Sequence, residues 1–157
     1  MNPSDAPTLR IKLLDPRAAV PAYQSSGAAG MDLAALLPDG PITLGVGGAA
    51  IIPTGLAMAI PPGFEGQVRP RSGLAGKLGV MVPNAPGTID SDYRGEVRVP
   101  LRNLGENSIE IEHGMRIAQI VIAPVMQAKV VTVDELDDTA RGAGGFGSTG
   151  FAAPVTG

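Results

Sequence analysis

The chain has 157 residues, a net charge of −3, no cysteine and a single histidine. This is enough chain for one domain with a real core, and it excludes disulfides, thiolate nucleophiles and the Cys/His-bound zinc of nucleobase deaminases, while the lone histidine argues against histidine triads and two-histidine metal sites. With no basic stripe, no run of about 18 apolar residues and no charged-then-apolar leader, we expect a cytoplasmic protein with neither a nucleic-acid nor a membrane partner.

Apolar residues make up 44% of the chain, but aromatics amount to two tyrosines and three phenylalanines. The core must therefore be aliphatic, and an aromatic in a Gly-rich loop needs a reason other than core filling. Gly (22) and Pro (15) occur at roughly twice their ordinary frequency and break the apolar runs at short intervals. That pattern predicts an all-β chain of many strands and tight turns.

Residues 1–7 read as a loose leader. Residues 8–14 alternate Leu9, Ile11 and Leu13 with Arg10 and Lys12, a strand pattern. Residues 16–26 are loop, and Gly27 to Gly30 lead tightly into Met31, Asp32 and Leu33. Asp32 stands among small and apolar neighbours. It is either a surface acid ending a turn or a carboxylate aimed at a metal or its water. Residues 42–44, 50–52 and 56–60 read as short strands separated by Gly or Pro, residues 61–64 as a turn and residues 65–69 as the next strand. The one helical signal spans residues 71–78, with Ser72 as its cap. Free amides at such an end, with Arg71 before them, suit a phosphate. The alternative is an ordinary capped turn carrying a surface arginine. Gly79 ends the helix before a strand at residues 80–82.

Residues 83–99, PNAPGTIDSDYRGEVRV, are the densest stretch. Two reversals, at Pro83–Gly87 and at Tyr93–Gly95, flank a short extended piece in which Ile89 and Asp90 face opposite ways. Val97, Val99 and Leu101 then alternate with Glu96, Arg98 and Arg102. This predicts a hairpin holding Asp90 beside Tyr93 over a pocket, with Asp90 a general base acting on a nucleotide. Further strands are predicted at residues 108–112, 116–125 and 129–133. His113 reads as a turn or surface residue. Within residues 116–125, Arg116 and Gln119 are three apart and are expected on opposite faces, and Gln119 needs a hydrogen-bond partner from backbone or ligand. Beyond Val133 the acidic DELDDTA gives way to RGAGGFGSTG. That segment is either an idle tail or a lid whose Arg141, Phe146, Ser148 and Thr149 suit an aromatic, phosphorylated ligand. Its spacing is not that of a Walker loop.

Five segments in order, AGMDLAA (29–35), PRSGLA (70–75), NAPGTIDSDYRGEV (84–97), GMRIAQIVI (114–122) and RGAGGFGSTG (141–150), make the chain resemble the homotrimeric all-β dUTPases. The resemblance implies a jelly-roll-like β-barrel or sandwich over residues 1–133, with one short helix, and a Gly-rich flexible C-terminal arm over residues 134–157. It implies hydrolysis of dUTP to dUMP and pyrophosphate in nucleotide metabolism, with Mg²⁺ carried by the triphosphate and a trimer with an active site at each subunit boundary. Asp90 would deprotonate the water attacking the α-phosphorus, and Gln119 would help hold that water or the α-phosphate. Asn84 and the backbone from Thr88 and Ile89 onward would read uracil. Tyr93 would lie under the deoxyribose, and Arg98 would act through its backbone. Arg71, Ser72 and Gly73 would grip phosphates from another subunit. Asp32 would hold the metal through water, with Arg116 bracing that segment or the subunit contact. From the arm, Phe146 would stack on uracil, while Arg141, Gly147, Ser148 and Thr149 meet the outer phosphates. A dCTP deaminase-like enzyme and a non-catalytic nucleotide-sensing trimer are the competing readings. The TIDSDYRG stretch favours the hydrolase.

Overall fold

The short apolar runs become strands of two facing sheets in the computed structural model, which describes residues 6–146 and residue 148. Strands β1 (Arg10–Leu13), β4 (Ala49–Ala59), β8 (Glu96–Asn103) and β6 (Val80–Met81) form the first antiparallel sheet, in the order β1-β4-β8-β6. Strands β2 (Met31–Ala34), β10 (Arg116–Pro124), β5 (Phe64–Arg69) and β7 (Gly87–Ile89) form the second, in the order β2-β10-β5-β7. A two-stranded ribbon pairs β3 (Ile42–Leu44) with β9 (Ile109–Ile111), and helix α1 covers Ser72–Leu78. Successive strands repeatedly change sheet, which gives the expected all-β, jelly-roll-like architecture.

Period-2 patterning decides what is buried. In β8, Val97, Val99 and Leu101 point inward while Arg98 and Arg102 stay outside. They meet Ile52, Leu56 and Met58 from the same sheet and Leu33, Val68, Ile117 and Ile120 from the other in one aliphatic core. Each fully buried side chain of this kind contributes about 1.5–3 kcal/mol. Two buried polar residues complete the interior. Asn103 donates to the carbonyls of Leu44 (3.0 Å) and Asn107 (2.8 Å) and accepts from Gly105 N–H at 2.9 Å. Its amide thereby stands in for ladder bonds where the sheet meets a turn. His113 is more than a surface residue, because its Nδ1 accepts the Leu37 N–H at 3.1 Å.

Two expectations need correcting. Residues 50–52 and 56–60 are not separate strands but one, β4, which runs through Pro53 and Gly55 by shifting register against β8 between Pro53 and Ala57. A bulge is where a strand tolerates proline and glycine. Its freed groups find other partners. Thr54 Oγ1 donates to Val97 O at 2.6 Å, Gly55 N–H to Glu96 Oε1 at 2.9 Å, and Gly55 O accepts from Leu14 N–H at 2.8 Å. Strand β1 is an exposed edge, with Ile11 only half-buried and Leu13 43% exposed. The segment expected as a last strand, residues 129–133, forms none, and its Val130, Val131 and Val133 are exposed. It lies outside the first compact unit, Met1–Met126, in a second unit that begins at Gln127.

Within the first unit, the loop after β1 is pinned by Asp15. Hydrogen bonds from the Arg17 guanidinium and amide hold the Asp15 carboxyl down at about 2, so it stays ionised at neutral pH. This loop delivers Ala18 against Gly55. Gly55 has φ +69, and a Cβ there would sit 2.6 Å from Leu36 Cδ2 and 2.9 Å from Ala18 Cβ. Gly55→Ala is therefore expected to cost about 1–3 kcal/mol of stability. The readout is the midpoint of urea unfolding, and an unshifted midpoint would show that the bulge tolerates a side chain.

Candidate active site

The stretch 83–99 does not form the predicted hairpin. Strand β7 pairs with β5 in the second sheet, whereas β8 pairs with β4 and β6 in the first. Strand β7 ends at Ile89 on the edge of its sheet, and the chain turns at Asp90 and crosses to the other sheet. The result is a corner, with a pocket of about 250 Å³ where the sheets diverge. Asn84, Thr88, Ile89, Asp90, Tyr93 and Arg98 all line it, so these residues gather at one pocket by a route other than the predicted hairpin. Ile89 is buried and Asp90 exposed, the opposite facing the alternation predicted. The turn closes through Tyr93 N–H to Asp90 O at 3.2 Å. Among the described residues, no hydrogen bond or ion pair engages the Asp90 carboxylate. Tyr93 lies back across its own turn, its hydroxyl donating to Glu96 O at 3.1 Å. This needs glycine at position 95, where a Cβ would fall 2.7 Å from Tyr93 Cζ.

A second group of the named residues gathers elsewhere. Asp32 on β2 bonds Arg71 Nε at 2.9 Å and Arg116 Nη1 at 3.0 Å, with its side chain only 15% exposed. Arg71 also donates to Arg116 O at 3.2 Å. Ser72, Gly73 and Gln119 share this cleft. The expectation that Arg116 and Gln119 face opposite ways fails because β10 is bulged against β2 between Arg116 and Ala118. The extra residue flips the strand's phase, turning both side chains to one side. Gln119 finds the partner it needed in Pro70 O, at 3.0 Å from Nε2. Ser72 is not the helix cap. The cap position is Arg71, in extended conformation and without a side-chain cap bond, and Ser72 is the first helical residue, its hydroxyl free of capping duty. Gly79, in left-handed conformation, ends the helix as expected.

The two groups do not converge within one chain. Ile89, next to Asp90, lies opposite Gly66, while the Arg71–Gly73 turn follows the far end of that same β5 strand, which is reached at Arg69, about 10 Å along it. Between them the outer face carries a polar ladder, Arg69 to Gln67 and Gln67 to Glu65.

No three His, Cys, Asp or Glu side chains form a metal cage among the described residues. Each Asp32 oxygen already accepts from an arginine. An all-protein metal site does not fit, whereas a Mg²⁺ ion ligated mainly by substrate phosphate and water, as that ion prefers, does.

In the second unit, residues 140–143 form a turn, with Gly142 N–H donating to Thr139 O at 3.0 Å, and Ser148 N–H donates to Gly145 O at 3.0 Å. Arg141 Nε donates to Gly144 O at 2.9 Å. Phe146 is fully exposed, with φ +47. Gly147 and Thr149 lie outside the described residues.

The profile of the dUTPase family matches residues 16–150. The chain belongs to the dUTPase family. The deoxyuridine 5'-triphosphate nucleotidohydrolase of Rhizobium etli is 64% identical over 132 residues, 83% of this chain and 85% of that protein. That of Roseobacter denitrificans is 61% identical over 131 residues, 83% and 86% of the two chains. Among solved structures, the dUTPase of Staphylococcus bacteriophage 80alpha with dUpNHpp superimposes with a TM-score of 0.83, at 29% identity over 92% of this chain and 99% of that one. A dUTPase variant from phage phi11 of S. aureus, described with a structural Mg(II) ion, gives 0.74 at 25% identity, over 83% and 99%. All five segments that resemble dUTPases fall within the matched range.

Two polar side chains in these pockets were missed from sequence. Glu96 lines the corner pocket and Gln24 the Asp32 cleft. Glu96 passed as an ordinary polar member of the β8 alternation. The available signal was its position two residues before Arg98, on the same face of a strand. Gln24 sits in a patternless loop, and no signal marked it.

Proposed function

We propose that Asp90 is the general base of this enzyme, a dUTP diphosphatase that hydrolyses dUTP to dUMP and pyrophosphate in nucleotide metabolism. The observation that carries the assignment is the unengaged Asp90 carboxylate, held at the rim of a pocket whose other walls are an amide, exposed backbone and an aromatic ring. Asp90 takes the proton of a water lined up on the α-phosphorus, a transfer typically contributing ~10²–10⁴-fold. Asn84 and the β7 backbone read the edge of uracil, and the close wall leaves no space for thymine's methyl group. Tyr93 lies under the deoxyribose and excludes a ribose hydroxyl. Rejection by clash and by unpaired polar groups is the most effective kind available to such a pocket.

Arg71, Ser72 and Gly73 grip the phosphates, and Gln119 holds the α-phosphate or the water. Mg²⁺ brought in on the triphosphate offsets negative charge that would otherwise repel the nucleophile. Asp32 would meet its water while keeping Arg71 and Arg116 in place. That the two groups line separate pockets with no lining residue in common supports a homotrimer in which the base pocket of one subunit faces the phosphate cleft of another. The arm of residues 134–157 closes that composite site, with Phe146 stacked on uracil and Arg141, Gly147, Ser148 and Thr149 on the outer phosphates. No helix among the described residues is long and apolar enough to cross a membrane, and the reaction belongs in the cytoplasm with the nucleotide pool.

Incubation with dUTP, dCTP, dTTP and UTP, with and without Mg²⁺, tests this. Pyrophosphate from dUTP alone, and only with the metal, is expected. Ammonia from dCTP would make the protein a deaminase, and binding without turnover a sensor.

A further inference from the structure

We propose that Glu96 is a positioning residue that sets how well the corner pocket rejects a ribonucleotide. The proposal rests on the reading of Tyr93 as the residue beneath the sugar. Glu96 makes three contacts in three directions. Its Oε1 accepts the Gly55 N–H at 2.9 Å, its Oε2 accepts Arg98 Nε at 2.7 Å, and its main-chain carbonyl accepts the Tyr93 hydroxyl at 3.1 Å. One residue therefore ties the β4 bulge, the ring and the arginine at the pocket rim together. Its side chain is 19% exposed, whereas that of Arg98 is 62% exposed, so Glu96 is the fixed member of the pair.

The reason this brace matters lies in the irregular ladder beside it. Opposite residues 96–98, β4 shifts register, and the residue facing Arg98 is Pro53, which has no N–H to give. Gly55 N–H has left the regular ladder. The Glu96 carboxylate takes it up, in place of a main-chain carbonyl of β8. The corner thus begins where main-chain pairing is weakest, and a charge-assisted side-chain bond holds it there. Tyr93 cannot compensate, because its ring is already pressed to the turn at Gly95 and its hydroxyl hangs on the Glu96 carbonyl. If the carboxylate lets go, the carbonyl and the ring move with it. A hydroxyl-sized difference in substrate is decided by movements of that order.

The test compares kcat/KM for dUTP and UTP in wild type, Glu96→Gln and Glu96→Ala, with thermal unfolding measured alongside. Glu96→Gln keeps the volume and an acceptor for Gly55, but it loses the charge that strengthens that bond and turns an NH₂ donor toward the Arg98 Nε donor. It is expected to fold and to lower the dUTP:UTP ratio by roughly tenfold, with a larger fall in Glu96→Ala. Loss of both activities in parallel, with the ratio unchanged, would leave Glu96 as a purely structural brace and overturn the proposal. So would an unchanged ratio in Glu96→Gln, whatever happens to the alanine variant. A wild-type enzyme that used UTP as readily as dUTP would remove the role of Tyr93 itself, a failure visible before any variant is made.

Discussion

Replacing Asp90 by asparagine lowers dUTP turnover by ~10²-fold or more while leaving nucleotide binding near the wild-type level. The amide has the same shape and can still hydrogen-bond a sugar hydroxyl, but it cannot take a proton from water, and that loss is of the size expected for a general base. The substitution is gentle on the fold. The turn at Asp90 is closed by its main-chain carbonyl, which accepts from Tyr93 N–H at 3.2 Å. No described partner of the carboxylate is lost. Single-turnover kinetics beside equilibrium binding of a non-hydrolysable dUTP analogue separate the two quantities. Turnover within a factor of two of wild type would take Asp90 out of the reaction.

The second large effect concerns the arm. Removing residues 141–157 is expected to leave the unfolding temperature and oligomeric state unchanged while reducing kcat/KM for dUTP ~10²-fold, the scale of a lost positioning and water-excluding element. The hydrogen bonds seen for residues 139–148 are local to that segment. The two sheets contain no strand beyond Pro124 among the described residues. Sedimentation, unfolding and steady-state kinetics on the shortened chain distinguish the outcomes. A truncated protein that failed to fold would make the arm structural, and one with full activity would make it idle.

How far the sequence could be read depended on how local each signal was. Alternation from residue 96 and the apolar run at 116–125 placed two core strands, because such patterns are a property of neighbours in the chain, whereas nothing in MDLA marked residues 31–34 as a strand. The corner was misread as a hairpin because Thr88–Asp90 and Val97–Leu101 are close in sequence. Strand partners are chosen over longer distances, and β5, with Gly66 to Val68, won the pairing with β7. The facing of Arg116 failed for a related reason. One bulged residue reverses a strand's phase, and no residue in RIAQ announces the bulge. Pro53 and Gly55 looked like breaks and turned out to be the means by which a long strand bends. Asp32 was identified as important from its odd surroundings, yet its two arginine partners, from β10 and the turn before α1, could not be paired with it by spacing. The residues that line the two pockets were legible because five short segments each keep their polar side chains within a few residues.

The corner has a consequence outside the pocket. Its two legs belong to different sheets, so Asn84 and Thr88 ride on one layer of the sandwich and Glu96 and Arg98 on the other. A substitution deep in either layer that slides one against the other changes the gap in which a base and sugar are judged. Under the proposed role of this pocket, mutational drift in the aliphatic interior would be translated into fidelity of nucleotide choice, and through the uracil content of the precursor pool would reach the composition of newly copied DNA.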